Sequence, residues 1–184
     1  IENSKRIAYV GSDYYKCGQT AAGLMNLMTH DDVHIGIING SSKILCHTER
    51  IAGFKACLGN YSNMKIADYF ENHDDDFTSY ELTKEMLEKH PEINAVFFAA
   101  GGTHGGCKAI LASGRKDIKV ITFDKIETTV EMMKKGIVSA TICQEPHIQG
   151  SLPLKILFDY LTTGELPAVE KYFTKVEIRI LENI

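Results

Sequence analysis

Residues 95–110, AVFFAAGGTHGGCKAI, carry the choice of fold. An unbroken apolar run gives way at Gly101, Gly102, Gly105 and Gly106 to a helical pattern through Lys108 to Ala112, which Gly114 stops. An apolar run without alternation reads as a strand covered on both faces, the situation of a parallel sheet. Glycines between a strand and a helix are also how proteins build a phosphate cradle. The stretch therefore poses the fold and the function together.

Working outward, the same unit recurs on both sides. RIAYVG (from Arg6), VHIGIING (from Val33), MKIADYF (from Met64), KVITFD (from Lys119) and VSATIC (from Val138) read as further strands. Between them lie helical patterns: KCGQTAAGLMNLMT from Lys16, ERIAGFKACLGN from Glu49, SYELTKEMLEKHP from Ser79 and closed by Pro91, and TTVEMMKKG ended by Gly136. A longer helix is predicted over roughly 148–162, and a final strand-like run over 171–181. Strand and helix in strict alternation, with nearly all-apolar strands, predict an α/β fold: a doubly wound, mostly parallel sheet with helices on both faces. The acidic patch ENHDDDF (Glu71 to Phe77) reads as a solvated loop before a helix.

Bulk properties narrow the function. The chain has 184 residues, 44% of them hydrophobic and 24% charged, the composition of a globular protein with a core. A formal net charge of −4 gives no basic face for nucleic acid. No apolar run approaches the ~18 residues of a membrane span, and no charged-then-apolar leader opens the chain. The five cysteines are odd in number, scattered and never paired as C-x-x-C, which points to reduced thiols in a reducing compartment.

Enzyme motifs fail one by one. GGTHGGCK has the P-loop spacing from Gly101 to Gly106, but Cys107 stands where the lysine belongs, and no G-x-G-x-x-G follows the first strand. No G-x-S-x-G elbow supports an acyl-transfer serine. None of the seven histidines falls in a metal-ligand spacing. No catalytic residue, metal or cofactor is expected.

In a doubly wound sheet, ligands sit beyond the carboxyl ends of the strands. Three polar residues there suit a hydroxylated ligand. Arg50, opening its helix, carries a planar fork of donors. Asp124 ends a strand and is a pure acceptor when ionised, and Gln144 follows a strand and offers both a donor and an acceptor. Phe77 would supply an apolar platform for a ring. Each has a plain structural role open to it as well: Asp124 as a helix cap, Arg50 as a partner of the acidic loop, Gln144 satisfied by backbone.

The runs YVGSDYYKCGQTAAGLM, ERIAGFKACL, INAVFFAAGG, KVITFD, GIVSATICQEPHIQG and ILFDYLTTGELP together resemble the type I periplasmic-binding-protein superfamily over almost the whole chain. The most specific pieces are R-x-x-G-F (Arg50 to Phe54), the F-D at Asp124 and the Q-x-P at Gln144. The tail EIRILENI is similar to that of lactose/galactose-repressor-type regulators. The resemblance implies that Arg50, Asp124 and Gln144 contact a small ligand, with Phe77 near the aromatic of the third-strand loop. It also implies a polar pair after the fourth strand, where this chain has Ala100 and Gly101; the glycines would either open room or offer backbone N–H groups at Gly101 in its place.

The expectation for the whole is thus the effector-sensing part of a cytoplasmic, non-enzymatic transcriptional regulator. Its effector would be a sugar or sugar derivative. It would be homodimeric when intact, reach DNA only through a helix-turn-helix before this chain, and have no membrane contact. The alternative is a secreted solute-binding protein of a sugar ABC transport system. Residues 1–144 would be the C-terminal lobe, and 145–184 a crossover helix and terminal strand that contact an absent first lobe. With half the cleft missing, sugar binding by these residues alone would be weak.

Overall fold

The computed structural model describes residues 5–184. The described residues form two compact units. The larger is Tyr14–Cys143 with Ile178–Ile184; the smaller takes the residues up to Asp13 and Gln144–Glu177. The chain thus leaves the smaller unit after Asp13, returns to it at Gln144, and leaves it again after Glu177 to end in the larger.

In the larger unit, α1 (Tyr14–Met28) is followed by β2 (Val33–Asn39), α2 (Leu45–Leu58), β3 (Met64–Glu71), α3 (Asp76–Lys89), β4 (Ala95–Phe98), α4 (Thr103–Ser113), β5 (Lys119–Phe123), α5 (Glu127–Lys134) and β6 (Val138–Cys143); β1 belongs to the smaller unit. The sheet runs β3-β2-β4-β5-β6-β8, where β8 is Glu177–Arg179, and the β3-β2, β2-β4, β4-β5 and β5-β6 pairs are parallel. This is the expected α/β class, a mostly parallel sheet flanked by helices.

β4 shows why its apolar run does not alternate. Val96 and Phe98 enter a cluster with Met86 and Leu87 of α3, Cys107 and Ile110 of α4, and Met132 and Met133 of α5. Phe97 points the other way and stacks on Phe54 of α2 with centroids 4.5 Å apart. Both faces are dry, so both parities must be apolar. On the Phe54 side, α1 and α2 cross at backbone contact: a Cβ at Gly53 would lie 2.8 Å from the Tyr15 carbonyl carbon, and one at Gly18 just as close to that of Arg50. The R-x-x-G-F run thus places Gly53 at a helix crossing and Phe54 in the core.

In the smaller unit, β1 (Tyr9–Gly11) pairs in parallel with β7 (Lys171–Phe173), and α6 spans Pro146–Thr163. Three expectations change here. The first strand is outside the main sheet. The predicted terminal strand is two strands, β7 and β8, in different sheets; Thr174 N–H bonds the Gly11 carbonyl and its hydroxyl meets that of Ser12, and the backbone passes on from there. A continuous extended pattern cannot show which sheet each half joins. The unit boundaries also place the residues up to Asp13 and Ile178–Ile184 apart from the expected division at 144/145. Among the described residues, no helix is long and apolar enough to cross a membrane.

Candidate functional site

The strand order fixes where to look. From β2 the chain moves outward to β3, then returns across β2 to β4, so the direction of winding reverses between β2 and β4. Loops part at such a switch point and leave a crevice at the carboxyl ends. A cleft of about 320 Å³ opens there. Its lining includes His47 and Arg50 of α2, Asp76 of α3, Ala100 to His104 after β4, and Phe123 and Asp124 at the end of β5.

Arg50 is 7% exposed. Its Nη1 donates to the Ala99 carbonyl at 2.7 Å, and the guanidinium lies 3.9 Å from the Phe123 ring centroid. A cation over an aromatic face in a half-dry cleft is held in one orientation before any ligand arrives. The helix begins at Leu45, so Arg50 lies in its second turn and not at its opening. The N-cap residue is Ile44 and makes no side-chain bond, so no cap signal marks that start.

Asp124 adopts φ 66°, the left-handed region, directly after β5. Its N–H bonds Ile142 O at 2.9 Å and its carbonyl accepts from Thr141 Oγ1 at 3.1 Å. Such a conformation in a non-glycine residue is held by its surroundings and recurs at functional positions. The residue is exposed at the cleft. It does not cap α5, whose N-cap is Ile126.

The acidic loop is not merely solvated. Asn72 is fully buried; its Nδ2 donates to Gly101 O at 2.8 Å and its Oδ1 accepts from Asp74 N–H at 2.9 Å. Asp74 Oδ1 takes the Gly101 N–H at 2.7 Å, and Asp76 Oδ1 takes the Gly105 N–H at 2.9 Å. The loop thus answers the phosphate question directly. Two backbone donors of the loop and first turn, Gly101 N–H and Gly105 N–H, are taken by the protein's own carboxylates. Gly102 supplies the positive φ (77°) that turns the chain into α4. At Gly105 a Cβ would lie 2.6 Å from the Asp76 carbonyl carbon, so the glycine lets the two helix starts meet.

His47, 7% exposed, completes the floor. Its Nδ1 accepts from Ser41 N–H at 3.1 Å, which leaves the proton on Nε2, 3.8 Å from Asp74 Oδ1. Burial holds the imidazole below its ordinary pKa despite the opposing pull of Asp74, and the Arg50 charge adds to the depression.

Of the residues singled out in the sequence, Arg50, Gly101 and Asp124 come together in this cleft. Phe77 does not join them: it is the second residue of α3, 74% exposed, and absent from the lining. The aromatic surface in the cleft is Phe123 instead. Gln144 opens the second stretch of the smaller unit, where it is buried and its carbonyl accepts from Gln149 Nε2 at 2.6 Å. His47 and Asp76 were missed. Asp76 had a readable signal, since it follows a strand at the ligand end of the sheet, but its acidic neighbours suggested a solvated loop. Among the described residues, no group of three His, Cys, Asp or Glu is placed to hold a metal ion.

The family model described as periplasmic binding protein domain matches residues 1–166. The D-ribose/D-allose-binding protein of Pseudomonas aeruginosa is 27% identical over 169 residues, covering 90% of this chain and 52% of that protein. The ribose import binding protein of Bacillus subtilis is 28% identical over 162 residues, covering 87% of this chain and 52% of its own length. The chain therefore spans about half the length of these curated relatives. Among solved structures, GanP, a glucose-galactose binding protein from Geobacillus stearothermophilus, superposes with a TM-score of 0.92 at 25% identity, over 100% of this chain and 66% of that one.

These relatives overturn the regulator assignment and the cytoplasmic location, and give no support to the DNA partner or the homodimer inferred from it; they are sugar-binding and import-binding proteins. The physical reason for the error is plain. Arg50, Asp124 and their motifs build a cleft, and a cleft reports what is bound, not what the bound state is coupled to. The cysteines misled in the same way: Cys17, Cys107 and Cys143 are buried packing residues, and burial pushes the Cys107 thiol up to about 12. Thiols of that kind report packing and not compartment. On the match across residues 1–166, the chain belongs to the periplasmic binding protein domain family.

Proposed function

We propose that this chain carries one lobe of the ligand-binding machinery of a sugar-binding protein that serves an ABC-type importer outside the cytoplasm. The observation that carries the proposal is the cleft at the β2/β4 switch point, where the fixed Arg50 guanidinium and the Asp124 carboxylate on its left-handed turn line one concavity. A donor fork and an acceptor pair held in fixed orientations suit vicinal hydroxyls, because charge-assisted hydrogen bonds are the strong ones. Names of relatives that bind D-ribose, D-allose, glucose and galactose support a pentose or hexose.

The protein binds and delivers its sugar without converting it. Tyr14–Cys143 with Ile178–Ile184 is one lobe, and the smaller unit belongs with the rest of the full-length protein. A second lobe closes over the cleft, and the importer's membrane component reads the closed form. Closure follows if the sugar binds the closed arrangement more tightly than the open one.

Calorimetry of the full-length protein with D-ribose, D-allose, D-glucose and D-galactose tests the reading. At least one binds, and Asp124→Asn weakens it about 10- to 150-fold, the worth of a hydrogen bond to a charged group. The same sugar slows thiol labelling of Cys46, which lines the cleft. Absence of binding by all four sugars at millimolar concentration would refute the proposal.

A further inference from the structure

The three consecutive aspartates after β3 have three different tasks. Asp74 fixes the Gly101 peptide and stands beside His47. Asp75 caps α3, accepting from Thr78 N–H and Oγ1 at 2.7 Å each. Asp76, the first residue of α3, is the one of the three that lines the cleft.

Its carboxylate is oriented without being used up. Among the described residues, the Gly105 N–H at 2.9 Å is the hydrogen bond it makes, through Oδ1. That bond holds because Gly105 lets the start of α4 reach the Asp76 backbone. Beside it, Gly101 and Gly102 line the same cleft and bring no side chain, and Gly102 caps α4 without a side-chain bond. The rim where side chains of the β4 loop would otherwise meet a ligand is therefore faced by a carboxylate arriving from α3.

We infer that Asp76 is a specificity-determining acceptor: its free carboxylate oxygen takes a hydroxyl proton of the sugar at the Gly101–Gly102 rim, a second acceptor site in addition to Asp124. The inference rests on the sugar-binding reading above. It defines the ligand further, as a sugar that brings hydroxyl donors to two separate carboxylates while accepting from Arg50.

The test is calorimetry of the full-length protein and its D76N variant with D-ribose, D-allose, D-glucose and D-galactose and with the monodeoxy forms of whichever binds. Asparagine keeps an oxygen for the Gly105 N–H and removes the charge. D76N weakens the parent sugar about tenfold, the difference between a charge-assisted and a neutral hydrogen bond. One monodeoxy sugar that wild type binds about tenfold more weakly than the parent is bound by D76N nearly as well as the parent, since contacting groups are not additive. D75N, on the neighbouring carboxylate that caps α3, leaves every affinity unchanged, because asparagine also caps. Should D76N not fold, D76S serves, with its hydroxyl as the replacement acceptor. Parent affinity equal to wild type in D76N, or deoxy penalties identical in both proteins, overturns the inference. If D124N still weakens the sugar in that case, the sugar-binding reading stands; if wild type binds no sugar, both fall.

Discussion

Replacing Gly105 by alanine tests whether the glycines of AAGGTHGG serve packing. A Cβ at this position would lie 2.6 Å from the Asp76 carbonyl carbon and 2.9 Å from its Cα. The Asp76 carbonyl oxygen is closer still, and ordinary contacts need about 3.5 Å, so the first turn of α3 must retreat from α4 by well over ~1 Å. Overpacking of this kind costs about 1–3 kcal/mol. The retreat also stretches the Gly105 N–H bond to Asp76, and a buried donor left unmade costs about 1–3 kcal/mol more. Against this stands the ~1 kcal/mol by which alanine outdoes glycine inside a helix. The net is a loss of about 1–5 kcal/mol, near 3 in the middle. At about 2–4 °C per kcal/mol for a protein of this size, the melting temperature of the larger unit falls by roughly 6–12 °C. Gly23→Ala is the control: it is helical too, in α1, and its added Cβ meets only Tyr61 Oη, at 3.7 Å. That variant gains about 1 kcal/mol and melts higher. Thermal unfolding followed by circular dichroism reads both. If Gly105→Ala melts at or above the wild-type temperature, the close approach of α3 to α4 is not what the glycine is for.

Two further outcomes follow from the titrating groups. His47 is depressed below 6.5 in the folded protein, so the unfolded chain takes up its proton first as pH falls. Its contribution to stability is complete above about pH 6.5 and is lost as pH drops through the lower folded value. His47→Asn, which keeps an acceptor for the Ser41 N–H, should flatten the stability profile just below pH 6.5 in urea titrations; an unchanged slope would show that another group causes it. Among the five thiols, Cys46 and Cys57 are part-exposed whereas Cys17, Cys107 and Cys143 are buried. A thiol-reactive dye at pH 8 should therefore label two sites in the native protein and five after denaturation, and mass mapping that finds Cys107 labelled in the native state would contradict its burial.

The legible part of this protein is what periodicity controls. Dry strands such as β4 must be apolar at both parities, and helices declare themselves by spacing, so the α/β class and most elements of the larger unit can be read from the chain. Arg50 and Asp124 could be found because the sheet rule points to strand ends and their chemistry is distinctive. What could not be read depends on approach between elements distant in sequence. Nothing in YFTKVEIRI says that its halves pair with different sheets, because strand propensity is silent about partners. Nothing in ENHDDDF says that its carboxylates lie against GGTHGG, some thirty residues on, since an exposed loop and a clamped one share a composition. Only the juxtaposition gives each aspartate its task. Gly105 then follows as its consequence: it is small because the Asp76 backbone and the start of α4 occupy the same few ångströms. A glycine-rich turn after a strand is thus ambiguous by itself, and what it binds is decided by whether the nearest negative charge belongs to a ligand or, as here, to the protein.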